Sequence, residues 1–185
     1  MNLQTLMGQY FDDVVLKQLS SVLLLSQTHK KIILSNLKGS SINCVATAVW
    51  QHTSKDLPTQ ELGCNHVFIL DDKEEAAYFH NDMERLTQAL DVSFFPDSFK
   101  KTGDYTEVNS SHLMLRTEAL SKFKGNRSGA IMTTYPEALF EKVVRPSVFN
   151  DKTIHIKTNE NIKLDELLSR FVDLGFHKED FAYEP

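Results

Sequence analysis

Between residues 30 and 144, short apolar runs alternate with segments whose apolar positions recur every three to four residues. No other feature of the chain restricts its fold as much. "KKIILSNL" (30–37) reads as a strand, and after Gly39 the positions Ile42, Val45, Ala46 and Val49 form one helical face. "HVFILDD" (66–72) reads as a buried strand, followed by a helix with Ala76, Phe79, Met83, Leu86 and Leu90 on one side. Asp71 or Asp72, with Glu74 or Glu75 three residues on, has the spacing of a capping box at that helix's start. "VSFFP" (92–96) is a short strand closed by Pro96, and "GAIMTTY" (129–135) is another. Pro136 opens the helix "PEALFEKVV" at the first turn, where a missing N–H is no loss. This alternation predicts a parallel sheet with helices on both faces, an α/β fold. Ligands in such sheets sit at the carboxyl ends of strands, and Gly39 is expected there.

Other segments are assigned by the same means. "QYFDDVVLKQLSSVLL" (9–24) reads as one N-terminal helix, and "HLMLRTEALSKFKG" (112–125) as a helix ended by Gly125. "DSFKKTGDYTEVNSS" (97–111) has no period and is rich in turn formers, so a loop is expected, with Lys100 and Lys101 at a solvated tip. The texture changes at Arg145-Pro146, and "RPSVFND" (145–151) reads as a linker. "KTIHIKT" (152–158) alternates with period two, as a half-wet strand does. "LDELLSRFVDLGF" (164–176) places Leu164, Leu167, Leu168, Phe171 and Val172 on one helical face, with Gly175 at the C-terminal cap. "HKEDFAYEP" (177–185) opens a further extended segment. The expected organisation is an α/β domain over 1–145 and, over 146–185, the start of a small α+β domain that is incomplete at Pro185, because so short a unit buries little apolar surface.

Composition narrows the function classes. The 185 residues are 41% hydrophobic and carry a net charge of −5, so no basic excess marks a broad nucleic-acid surface. The N-terminus has no basic leader region, and the longest apolar stretch, "VLLL" (22–25), is far short of a membrane span. Cys44 and Cys64 make no disulfide framework, which makes the cytoplasm the expected location. Cys64-x-His66 is the nearest approach to a ligand pair, and a surface turn accounts for it better than a metal. Neither paired carboxylates nor a Ser-His-Asp arrangement is recognisable, so no residue is assigned a catalytic role and no metal is expected.

A phosphate loop reads G-x-x-x-x-G-K-[S/T]. Laid on Gly39, it puts the second glycine at Cys44, the lysine at Val45 and the hydroxyl residue at Ala46. The chemistry needs the lysine on the β/γ phosphates and the hydroxyl on Mg²⁺. Val45 and Ala46 supply neither, and both suit the apolar face of the following helix. Gly39, Cys44, Val45 and Ala46 are therefore read as a vestigial loop that keeps a fold role without a nucleotide.

The order of these segments resembles a known family. The degenerate loop, "ILDDKEEAAYFHNDMERL", "LRTEALSKF", "IMTTYPEALFEKVV" and "LDELLSRFVDLGFHKEDFAYEP" together are similar to the N-terminal region of the bacterial transcription-repair coupling factors, the Mfd family. That region resembles the damage-recognition helicase UvrB. The resemblance implies a RecA-like (P-loop NTPase-like) first domain and a second, UvrA-binding-type domain. It also implies a non-catalytic module that recruits UvrA for nucleotide excision repair. In the family, a motor using ATP and Mg²⁺ and contacts to RNA polymerase and DNA lie in other domains, so no cofactor is expected in this chain. Contact between this region and other domains of the full-length protein is also implied, as is a strand resembling G-x-[FY]-x-x-R-G-x-x-x-D-[IVL]-F directly after "YEP". Two departures from UvrB fit the coupling factors: Val45 at the lysine position, and "KKTGDYTEVN" where UvrB has a long aromatic hairpin. In UvrB-like domains a stretch similar to [YF]-x-R-N-D helps bind UvrA. Here it reads Phe176-His177-Lys178-Glu179-Asp180, which makes Lys178, with Arg170 on the preceding helix, the candidate UvrA-binding patch. Lysine keeps the charge but lacks arginine's bidentate fork. The alternative function is a nucleotide-hydrolysing RecA-like helicase domain with an aberrant loop, and Val45 argues against it. Arg116 remains as a residue that could hold a phosphate or an inter-domain carboxylate, and an intramolecular salt bridge is the expected role.

Overall fold

The computed structural model describes residues 2–25, 31–55, 64–88, 92–102, 105–125, 129–154 and 156–177. The chain divides into two compact units, Met1–Glu141 and Lys142–Pro185. In the first, α1 (Leu3–Asp12), α2 (Val14–Leu25) and α3 (Ser41–Trp50) lead into a π-helical turn, Gln51–Lys55. Then come β1 (His66–Ile69), α4 (Lys73–Thr87), β2 (Val92–Phe94), β3 (Phe99–Thr102), β4 (Tyr105–Val108), α5 (Ser110–Gly125), β5 (Ile131–Thr134) and α6 (Pro136–Phe140). The second unit holds α7 (Pro146–Asp151) and α8 (Leu164–Asp173).

Strands β1, β5 and β2 form a three-stranded parallel sheet in the order β1-β5-β2. All four residues of the middle strand are buried. Neighbouring residues on a strand point to opposite faces. Ile131 accordingly packs with Ala46 and Trp50 of α3 and with Phe79 and Met83 of α4. Met132 packs with Ala119 of α5, Ala138 of α6, Phe95 and Tyr135. Helices therefore cover both faces, as the alternation predicts. Thr133 and Thr134 are buried without loss because their hydroxyls donate to the carbonyls of Ser93 (3.3 Å) and Phe95 (2.8 Å). Helix α4 starts where the acidic run predicts: the Asp72 carboxylate accepts from the Glu75 N–H at 2.8 Å, and Glu74 and Glu75 occupy the first turn.

Five expectations are corrected. "KKIILSNL" forms no strand over its described residues 31–37; Asn36 takes a left-handed backbone (φ 63°), as does Gly39 (φ 53°), which breaks the extended run before it reaches α3. The N-terminal helix is two helices. Asp13 ends the first by donating its N–H to Tyr10, and starts the second through its carboxylate, which accepts from Leu16 N–H at 3.0 Å. The expected loop 97–111 contains the antiparallel hairpin β3/β4, in register Phe99↔Val108 to Thr102↔Tyr105. "RPSVFND" is not a bare linker but carries α7, with Pro146 at its first turn. "KTIHIKT" forms no strand over its described residues. Instead the chain turns at 157–160, where the Glu160 carboxylate accepts from Lys157 N–H at 3.1 Å.

The end of α8 follows its sequence closely. Gly175 takes φ 91°, its N–H donates to Val172, and Phe176 N–H donates to Phe171. This is a Schellman cap, and its accompanying apolar contact is the edge-on pair Phe171–Phe176, with centroids 5.5 Å apart.

The two left-handed glycines among the described residues of the first unit separate backbone strain from crowding. Gly129 (φ 89°) accepts from the Trp50 indole at 3.0 Å, and a Cβ there would lie 2.2 Å from Ser54 Oγ and 2.9 Å from the Cys64 carbonyl. A Cβ at Gly39 would meet nothing within 4 Å. Gly39→Ala is expected to lower stability by about 1 kcal/mol, the left-handed penalty alone, and Gly129→Ala by about 3 kcal/mol, with crowding added. Urea denaturation of both variants tests this; equal losses would contradict the packing at Gly129.

Candidate functional site

The loop at Gly39 is tight. Lys38 N–H donates to Ser41 Oγ (2.8 Å), Ser41 Oγ donates back to the Lys38 carbonyl (2.8 Å), and Ser41 N–H donates to the same carbonyl (3.2 Å). Helix α3 then begins at Ser41, two residues after the glycine. In a phosphate loop the residues between the two glycines stay non-helical so that their N–H groups can wrap the anion. Here residues 41–43 of that stretch are already helical. Cys44, Val45 and Ala46 are buried. Val45 packs with Leu16 and Ala48, and Ala46 with Trp50 and Phe79, so α3 is enclosed on two sides. A lysine at 45 would put an ammonium into an apolar cluster. The Cys44 thiol is shifted upward by burial and by Asp82, which keeps it protonated and unreactive. Gly39 follows an extended segment that belongs to no strand of the sheet among the described residues.

The sheet's carboxyl edge is where β1, β2 and β5 run into Leu70–Asp72, Phe95–Asp97 and Tyr135. A polar cluster occupies it. The Tyr135 hydroxyl donates to Asp97 Oδ1 and accepts from Asp97 N–H at 2.9 Å. His112 Nδ1 donates to the Asp97 carbonyl at 2.6 Å, and Lys73 Nζ stands 3.6 Å from the Asp97 carboxylate. Burial alone would raise the Asp97 carboxyl, but the Tyr135 hydroxyl, Lys73 and His112 outweigh it and hold it below the usual range. Burial, and donation to Asp97, push the Tyr135 phenol upward.

Arg116 sits beneath this cluster, 5% exposed, with its guanidinium 4.0 Å above the Phe95 ring. It donates to the carbonyls of Pro96 (2.6 Å) and Ala138 (3.1 Å) and lies 3.5 Å from the Glu141 carboxylate. Glu141 in turn accepts from Ser98 N–H (2.8 Å) and Ser98 Oγ (2.6 Å). Arg116 thus makes the expected intramolecular salt bridge. The whole constellation ties the exit of β2 to α5 and α6. It is a latch, and its carboxylates are committed to protein donors. Sequence reading missed Asp97, His112, Tyr135 and Glu141 as a group, because its pairs stand 15 to 43 residues apart along the chain.

In the second unit Arg170 is exposed in the last turn of α8, where its charge complements the helix dipole. Lys178 lies outside the described residues, so the patch is represented by Arg170 alone. His66 Nε2 is 2.8 Å from Thr53 Oγ1, and burial lowers its pKa to about 4. Among the described residues no group of three or more His, Cys, Asp or Glu side chains could hold a metal ion, and no helix is long and apolar enough to cross a membrane. No protein-family model matches the chain, and no curated protein matches it.

The latch makes a quantitative claim. Arg116→Leu leaves two carbonyls without their donor and the Glu141 carboxylate without its countercharge, held by Ser98 alone, and should lower stability by about 3 kcal/mol or more. Arg116→Met combined with Glu141→Gln removes the stranded charge and should lose less than the single change. Denaturant titration of both decides the matter; a single-variant loss below about 0.5 kcal/mol, the level of an ordinary surface change, would contradict the latch.

Proposed function

We propose that this chain is the N-terminal, non-catalytic module of a transcription-repair coupling factor, serving UvrA recruitment in nucleotide excision repair. The observation that carries the reading is the burial of Val45 and Ala46 inside α3's two apolar contacts, at the positions where a nucleotide site needs lysine and a hydroxyl. The order of segments that resembles the coupling factors supports the same reading, as does the absence of basic excess. A RecA-like first domain and a UvrA-binding-type second domain belong to this proposal. So do a cytoplasmic location, contacts of this module with other domains of its own protein, and RNA polymerase and DNA contacts made by those other domains. ATP and Mg²⁺ serve the motor and are not used by these residues.

Under this reading the UvrA surface is built from Lys178, Arg170 and the R-G strand that the resemblance places after Pro185. Interface energy concentrates in a few central residues, so part of a patch binds far worse than its share of the area. Calorimetric titration of UvrA should give weak or undetectable binding to residues 1–185 and clear binding to a chain extended through that strand and its return. In the extended chain Lys178→Glu should lower affinity more at low salt than at high salt, because an exposed charge contact is screened. Equal affinity of the two lengths would move the site into the first unit and overturn the assignment.

A further inference from the structure

Residues 31–37 run extended outside the sheet, and no N–H or carbonyl of theirs is paired with another described backbone group. They carry three consecutive large apolar side chains that water reaches, Ile32, Ile33 and Leu34, with Ile33 77% exposed. Ile32 and Leu34 line a cavity of about 440 Å³, which Phe68 and Leu70 line from β1 and its exit, and Val45 from α3. An open apolar cavity costs stability in proportion to its volume, because the side chains on its wall forgo contacts.

Across the same cavity, β1 has a bare edge. The N–H groups of His66 and Leu70 donate to the carbonyls of Ala130 and Thr134. Backbone groups alternate in direction along a strand, so those of Val67 and Ile69 point away from β5. Among the described residues no strand flanks that side. A bare edge is a template for one more strand. The side chains of the two segments match as well. Phe68 and Leu70 pack on the cluster formed by α3 and α4, while Val67 and Ile69 are 45% and 57% exposed. Ile32 and Leu34 likewise meet the cavity while Ile33 meets water. Set beside β1, Ile32 and Leu34 extend the Phe68 face, and Ile33 covers Val67 and Ile69. The stretch that joins the segment to β1 contains helix α3, the kind of connection that parallel neighbours require.

We propose that residues 32–35 are a strap that closes onto the bare edge of β1 as a fourth parallel strand and seals the cavity. The structure shows the strap open. Its hinge is Asn36, whose φ of 63° is a left-handed conformation that disfavours a residue with a side chain. Closing gives the backbone of Val67 and Ile69 its partners and takes Ile33 out of water. An apolar molecule in the cavity does neither, which favours the strap as the occupant. The inference is independent of the proposed repair role.

Hydrogen exchange and NOE measurements by NMR on the full chain test it, with Asn36 as the lever. A branched side chain resists positive φ, so Asn36→Val should favour the closed strap. It should raise the protection of the Val67 and Ile69 amides about tenfold over the wild type, the size of a left-handed penalty. NOEs should then join backbone protons of 32–34 to those of 67–69. Glycine adopts positive φ freely, so Asn36→Gly should lower the same protection about threefold. The dye 1-anilinonaphthalene-8-sulfonate should fluoresce in the opposite order, brightest with Asn36→Gly, because only the open cavity admits it. Asn36 is exposed, so neither change disturbs the core, and the wild type against Asn36→Gly repeats the comparison should Asn36→Val fail to fold. Equal protection of the Val67 and Ile69 amides in all the chains that fold would overturn the proposal. So would NOEs from 67–69 to a different segment, which would give the edge to another occupant, or dye fluorescence indifferent to residue 36.

Discussion

The first unit depends on the burial of β5. Four consecutive residues, Ile131 to Thr134, have no solvent face, so each must be satisfied by something the rest of the chain brings. Parallel neighbours supply the backbone hydrogen bonds on both sides. Helices α3 and α4 contribute to the cluster around Ile131, and α4, α5 and α6 to the one around Met132. The threonine hydroxyls reach across to carbonyls at residues 93 and 95. The strand's entrance is fixed by Gly129, which admits Ser54 and the Cys64 carbonyl at distances no side chain allows and accepts the Trp50 indole N–H on its own carbonyl. Its exit is fixed by Tyr135 and the Asp97–Arg116–Glu141 latch. That latch fills the position where a parallel sheet ordinarily receives a ligand. The protein uses its most ligand-ready edge to hold itself together.

Helix α3 is the second consequence. It is pressed by α1 and α2 on one side and by the sheet and α4 on the other, and seven of its ten residues are buried. A helix enclosed in this way cannot present a lysine and a hydroxyl to a nucleotide at its first turns. The burial of Val45 and Ala46 and the tightness of the Gly39 turn are thus one fact of packing.

Much of this was legible in the sequence, for a reason that differs by element. β2 and β5 were visible as apolar runs because buried parallel strands need no polar face; β1 was visible by the same pattern but is not the buried strand expected, since it lies at the sheet's edge with Val67 and Ile69 exposed. The start of α4, the proline opening α6 and the glycine cap of α8 were visible because capping is local chemistry. The misses are non-local. "KKIILSNL" has the composition of a strand, but composition records a tendency to be buried and names no partner, and Asn36 bends it away. The β3/β4 hairpin was hidden by its charge, although Gly103-Asp104 between "FKKT" and "YTEV" is a hairpin signal in the sequence. Of the candidate site residues, Val45 and Ala46 are buried on the helix face that the periodicity marks, although Ile42 of the same face is exposed. The Asp97 cluster was invisible, since nothing local marks groups that meet only after the sheet has formed.

The central claim is that the Gly39 loop serves packing and holds no nucleotide, and a thermal melt with millimolar Mg-ATP tests it most directly. A ligand at a hundred times its dissociation constant adds about 2.7 kcal/mol to folding stability. For a chain of this size that moves the melting temperature by several degrees. The account predicts no shift beyond that of a matched ionic-strength control. A reproducible rise of several degrees, lost on omission of Mg²⁺, would contradict it.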